Sequence, residues 1–160
     1  MFTIQVQEKF IIRTSKMNDK FERLKREICH KGNLLEYEGT IEKILQSIHF
    51  SDCSISCCDT CENSSIEQAI DGSFKTHIRI GFKRAKEKPI HYIWDILHEF
   101  GHHLSGLPKG KERSVDRETL AWELGLEQLK KYPELIEQVS DYENYKENCL
   151  RTYRKKNASA

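Results

Sequence analysis

The sequence predicts an α+β fold, and three observations carry that expectation. Apolar residues recur at helical spacing through most of the chain, the period changes to two around Asp71-Gly72, and helical spacing resumes after Pro89. At 160 residues the chain is long enough for one hydrophobic core, so 1–160 reads as a single domain, with a small antiparallel sheet packed by helices.

Phe2, Ile4 and Val6 alternate with polar residues, which predicts a short first strand. Asn18 is placed to cap a helix carrying Phe21, Leu24 and Ile28, with Gly32 just past its end. Thr40 is the candidate cap of a second helix built on Ile41, Ile44, Leu45 and Ile48. From Ser51 to Ser65 the Ser/Cys/Asp-rich stretch reads as a loop. Ile66 and Ile70 then precede Asp71-Gly72, and Phe74, Thr76, Ile78, Ile80 and Phe82 follow it on one face, the pattern of a hairpin. The other face of that second strand carries Lys75, His77, Arg79 and Lys83, as a sheet wetted on one side would. Pro89 opens a helix running to about Leu104, stopped by Gly106 and Pro108. Ser114 can cap the next helix, which ends near Tyr132-Pro133, and a last helix runs from Pro133 toward the tail.

Composition narrows the function. Hydrophobic residues at 38% and charged residues at 32% fit a soluble globular protein. No run approaches the roughly 18 apolar residues of a membrane span, and MFTIQVQEKF lacks a signal peptide's apolar region, so the expectation is a cytoplasmic protein without a membrane partner. Lys and Arg number 26 against 25 Asp and Glu, which leaves a net charge of +1 and no electrostatic reason to expect nucleic acid. The basic stretch 9–31 and the acidic stretch 134–147 read as solvated helix faces.

The chemistry is concentrated in IWDILHEFGHHLSG. His98 and His102 lie one turn apart on a predicted helix, so two neutral imidazoles can grip one Zn²⁺. Glu99 is displaced by about a hundred degrees around the axis. Its carboxylate therefore flanks the metal in the position of a general base, able to take a proton from an activated water and return it to a leaving amine. The core stripe Ile93, Ile96, Leu97, Phe100 and Leu104 lies largely away from the histidines, and Trp94 and Asp95 are placed to line or orient the site. His103 points off the metal face.

A catalytic zinc normally has three protein ligands. An acid from SVDRETLAWELGLEQL is the natural third, with Asp116, Glu118 and Glu123 as candidates. Glu118 is favoured because Ala121, Trp122 and Gly125 share its face, and the two small residues would let this helix approach the zinc helix closely. His77, His91, Tyr132 and Tyr142 are candidates for stabilising an oxyanion, with nothing in the spacing to choose among them.

These residues resemble the zincin superfamily, in its gluzincin-like branch, and within it the compact ImmA/IrrE-type bacterial and phage metallopeptidases. The resemblance spans roughly residues 74–130: the strand THIRIGF, the helix with HEFGHHLSG, a short loop and the E-x-x-A of Glu118 to Ala121. No HExxHxxGxxH extension follows, since position 108 is Pro, which excludes the three-histidine metzincin arrangement. The chain departs from the ImmA/IrrE pattern where WELGLEQLKKYP stands in place of a Phe-Ala pair and a Leu-Met-Pro segment. The resemblance implies a zincin-like fold and a neutral metallopeptidase acting on a protein or peptide, such as a repressor. It also implies that THIRIGF is the edge strand beside the cleft, where a peptide could add as a further strand. The alternative is a regulatory or interaction protein on the same scaffold, with a structural zinc.

Six cysteines in a chain read as cytoplasmic should be mostly reduced. Cys53, Cys57, Cys58 and Cys61 crowd into one stretch. Reduced loop thiols are the expectation, with a four-sulfur metal site or a redox dithiol at Cys58-Asp-Thr-Cys61 as alternatives.

Overall fold

The computed structural model describes residues 2–68, 76–106 and 115–158, with side chains described from Lys16 onward. Among these residues the fold is α+β: α1 (Phe2–Gly32), α2 (Glu38–Phe50), β1 (Cys53–Cys58), β2 (Ser65–Gln68), β3 (Thr76–Gly81), α3 (His91–Leu104), α4 (Val115–Leu129), α5 (Pro133–Ile136) and α6 (Val139–Ala158).

The N-terminal reading is corrected. Residues 2–6 are helical, because α1 runs unbroken from Phe2 to Gly32 through Asn18, which caps nothing. Phe2, Val6 and Phe10 are also four apart, so the short alternation was compatible with a helix. Gly32 is the last helical residue, and Asn33, at φ 54°, takes the left-handed position that ends it. A short 3-10 turn at Leu35–Tyr37 leads into α2, so Thr40 lies buried within that helix instead of capping it. Within the basic stretch Lys25 is buried, ion-paired to Glu22 at 2.9 Å and Glu42 at 3.2 Å.

The sheet is mixed, where a purely antiparallel one was expected. Its order is β1-β3-β2, with β1 parallel to β3 and β2 antiparallel to it. The segment read as a loop contains β1, in which Cys53, Ile55 and Cys57 alternate with Ser54 and Ser56. A cysteine behaves as a small hydrophobe when buried, so this is strand periodicity in unusual residues. THIRIGF is consequently the central strand, flanked on both sides, and β1 and β2 are the edges. β2 and β3 are antiparallel neighbours, as the hairpin reading expects, but their register, Ser65↔Arg79 to Gln68↔Thr76, is offset by one residue from that of a two-residue turn at Asp71-Gly72; Ile70, Asp71-Gly72, Phe74 and Lys75 lie outside the described residues, as do Pro108 and Ser114. Along β3, Thr76, Ile78 and Ile80 are buried and His77 and Arg79 half-exposed. His77 bridges Ser54 and Ser56 at 2.7 Å each.

α1 and α2 pack against β1, and α3 against β3 and β2. On α3, Ile93, Trp94, Ile96, Leu97 and Phe100 are buried, whereas Leu104 is 39% exposed and leaves the predicted stripe. Gly106, at φ 83°, takes the left-handed conformation after the helix ends. The predicted last helix is broken into α5 and α6.

The contact that positions the site is between α3 and α4. A Cβ on Gly101 would lie 2.0 Å from the Ala121 carbonyl oxygen, and one on Gly125 would lie 2.9 Å from the Leu97 oxygen and 2.5 Å from the Tyr142 hydroxyl. The pairs Leu97 with Gly125 and Gly101 with Ala121 run the helices in opposite directions at backbone contact. Only residues without, or with minimal, side chains permit this.

Candidate metal centre

His98 and His102 leave α3 toward α4, and Glu118 in the first turn of α4 meets them. His98 Nε2 lies 3.1 Å from Glu118 Oε2, and His102 Nε2 lies 3.3 Å from Glu118 Oε1. One potential ligand atom from each of the three residues falls within 4.8 Å of the others. Ligand atoms on a tetrahedral zinc with bonds of about 2.0–2.1 Å lie about 3.3–3.4 Å apart, so two imidazoles and a carboxylate at this spacing form a set that could hold one ion. Asp116 and Glu123 are exposed and outside the group. The close Gly101–Ala121 approach makes the group possible, since Glu118 is one turn from Ala121 and His98 and His102 flank Gly101.

The surroundings favour metal-ready protonation states. Burial lowers the His98 pKa and outweighs the hydrogen bond to Glu118 that would raise it, so its imidazole is kept neutral. Burial by itself would raise Glu118, but hydrogen bonds from His102 and His98 prevail and hold its carboxyl well below the usual range. The indole of Trp122 stacks on His98 with ring centroids 4.0 Å apart and planes 7° from parallel, which fixes the ring's orientation.

Glu99 is 7% exposed and lines one pocket with His98 and Glu118. Burial, reinforced by the charges of Asp95 and Glu118, pushes its carboxyl up to about 8. In zinc-stripped protein the folded chain should therefore hold this proton over a range in which the unfolded chain, at the ordinary 4.5, has released it. The folded state then binds more protons, so this group's contribution to stability falls as pH rises from about 4.5 to about 8. Glu99→Gln cannot ionise. Stripped of zinc, it should be more stable than stripped wild type at pH 8, by on the order of 4 kcal/mol, with the difference vanishing near pH 4. Urea unfolding in chelator across this range measures it, and parallel pH profiles for the two proteins would contradict it.

The pocket holds about 200 Å³ and is lined by Glu99, His98, Glu118 and Asp95 together with groups for which the sequence offered no motif. The Lys86 ammonium reaches in from the loop after β3, 2.6 Å from Asp95 Oδ2, and donates to the Tyr145 hydroxyl at 3.2 Å. Tyr145, on α6, donates to Asp95 Oδ1 at 2.8 Å, and Ser64 donates to Asp95 Oδ2 at 3.4 Å. The signal for Tyr145 was the stripe Tyr142, Tyr145 and Cys149 on an otherwise polar helix; Lys86 had none. Of the four oxyanion candidates, none lines this pocket. His91 meets Asp141 at 3.1 Å, Tyr142 donates to the Trp122 carbonyl at 2.7 Å, Tyr132 meets Ser47 at 3.1 Å, and His77 is on the sheet. Trp94 does not line the pocket either: it is fully buried and donates to Asp141 Oδ2 at 2.9 Å. His103 bonds Thr76 at 2.5 Å and the Ser51 carbonyl at 2.7 Å, away from the metal group.

The cysteines do not form a loop of reduced thiols. Cys58 and Cys61 are joined in a disulfide, while Cys53 and Cys57 point inward from β1. Four residues apart on a strand puts those two about 13 Å from each other, which excludes them from one four-sulfur centre. Burial pushes the Cys57 thiol up to about 12, the opposite of a metal-ready thiolate.

Replacing Glu118 with Ala should weaken zinc retention by about tenfold or more under chelator competition, whereas Glu123→Ala should leave it unchanged. Loss of zinc from the Glu123 or Asp116 variant with retention in Glu118→Ala would require a different orientation of α4.

No family model, curated protein or solved structure matches this chain.

Proposed function

We propose that the protein is a zinc-dependent peptidase with a zincin-like fold, in which His98, His102 and Glu118 hold the ion and Glu99 is the general base. The observation that carries this reading is the buried Glu99 carboxyl beside the two-histidine, one-carboxylate group, in a pocket open to ligand. A structural centre has no use for an ionisable group in that position.

Bound zinc would supply a water whose pKa is lowered to about 7 and would polarise a substrate carbonyl. The residues perform the rest. The Glu99 carboxylate takes the water's proton and delivers it to the departing amine nitrogen. A nearby cation lowers the raised pKa of Glu99, which brings it toward the neutral range where a shuttle works in both directions. Lys86 and Tyr145 place an ammonium and a hydroxyl beside Asp95, one helical turn before Glu99, and offset that carboxylate's charge at the inner end of the pocket.

Incubation with a mixed peptide library, read by mass spectrometry, tests the proposal. Cleavage that disappears on chelation and returns with stoichiometric zinc is expected. A zinc-loaded protein that cleaves no peptide would overturn it.

A further inference from the structure

On its α6 side the metal pocket adjoins a larger groove of about 580 Å³ between the 83–88 loop and α6, with which it shares Asn63, Lys86, Tyr145, Cys149 and Tyr153. That volume lies within the range of about 300–1,000 Å³ usual for ligand clefts. Any chain entering along it passes Lys86 and Tyr145 before reaching Glu99.

The groove's chemistry is polar and cationic. Arg84, Lys86, Lys88 and Lys156 line it against the acids Glu87 and Asp141. Asp141 is already engaged: it accepts from Lys88, from His91 at 3.1 Å and from the Trp94 indole at 2.9 Å. Asp95, at the inner end, is likewise matched by Lys86. Arg84 is exposed at the wall and takes part in no ion pair among the described residues, so its guanidinium faces the groove's solvent. Opposite it, Asn144, Asn148 and Thr152 stand four residues apart on one face of α6 and line the groove. Uncharged amides and a hydroxyl at one-turn intervals offer hydrogen bonds to a peptide backbone without a charge preference. With Asp95 counted beside Glu87 and Asp141, the four cations exceed the acids by one, and Arg84 is the cation placed to set the selectivity.

We propose that this groove binds an acidic segment of a peptide, with Arg84 pairing an Asp or Glu side chain and the α6 amides holding the backbone, so that the residues on one side of the cleaved bond carry negative charge. This rests on the peptidase reading for its role in substrate choice, but binding can be measured without hydrolysis.

Fluorescence anisotropy with a short labelled Ala/Glu peptide and its Ala/Gln counterpart, using the full chain carrying Glu99→Gln so that no probe is consumed, tests it. The acidic probe should bind more tightly than the neutral one and weaken as salt is raised. Adding Arg84→Glu should weaken the acidic probe by about fivefold or more at low salt, whereas Lys130→Glu, a charge reversal of equal size in the turn after α4, should not. Equal affinity for the two probes, or equal loss in the two charge reversals, would overturn the assignment. If acidic binding depends on Arg84 but no library peptide is cleaved by the wild-type protein, the groove stands and the peptidase reading fails. Cleavage with no enrichment of Asp or Glu near the cut site, together with equal probe affinities, leaves the peptidase reading in place and removes the acidic groove.

Discussion

Glu99→Gln is expected to keep one zinc per chain and the wild-type fold while cleaving peptides about a hundredfold more slowly or worse, the usual contribution of a positioned general base. Gln is the same size, so the buried position is filled equally well, but its amide cannot accept the water's proton. The His98–Glu118 and His102–Glu118 contacts do not involve Glu99, which approaches the group only at His98 Nδ1, 3.7 Å from Glu99 Oε1, and an amide of the same shape keeps that approach. Zinc content and turnover should thus separate: the first constant, the second nearly abolished. Unchanged turnover at full zinc occupancy would remove Glu99 from the proton-transfer role, and loss of zinc would place it among the ligands.

The second large effect is expected at Gly101, which is far less conspicuous than the histidines on either side. An alanine there puts a methyl carbon 2.0 Å from the Ala121 carbonyl oxygen, a backbone atom in the interior of α4. Nothing flexible is available to yield, so α4 must move away from α3 and carry Glu118 with it. Gly101→Ala should cost about 3 kcal/mol of stability, at the upper end of overpacking effects, and should weaken zinc binding as well. Gly39→Ala supplies the control: no atom lies within 4 Å of its added Cβ, and α2 should be neutral or slightly stabilised. Urea midpoints and chelator titration on the two variants read both quantities. Similar behaviour of Gly101→Ala and Gly39→Ala would mean that the helices do not touch at backbone distance.

The same small-residue contact explains why Glu118 could be picked out from sequence. Ala121 and Gly125 on its own face marked the side of α4 able to approach another helix, and in the structure that side meets Gly101 and Leu97. The helix α3 was legible for a similar reason: a strong amphipathic repeat bracketed by Pro89 and Gly106 leaves few alternatives. Local pattern was insufficient where the determining partner is distant in sequence. β1 pairs parallel with β3 across the intervening residues 59–75, β2 among them, and no turn signal encodes a parallel neighbour. Its cysteines carry strand periodicity, with Cys53 buried and Cys57 partly buried against the core. At the N-terminus three alternating residues were too few to distinguish periods, and the helical spacing of Phe2, Val6 and Phe10 prevailed. Lys86 and Tyr145 enter the pocket from the loop after β3 and from α6, and their convergence on Asp95 is a tertiary fact with no sequence motif.

X-ray absorption at the zinc edge of the purified, zinc-loaded protein tests the central claim, that His98, His102 and Glu118 hold one ion, most directly. The predicted spectrum has a first shell of nitrogen and oxygen alone at about 2.0–2.1 Å, with outer-shell scattering from two imidazoles. That outer-shell signal should fall to one imidazole in His102→Ala. A sulfur shell at about 2.3 Å, or a spectrum unchanged by His102→Ala, would contradict it.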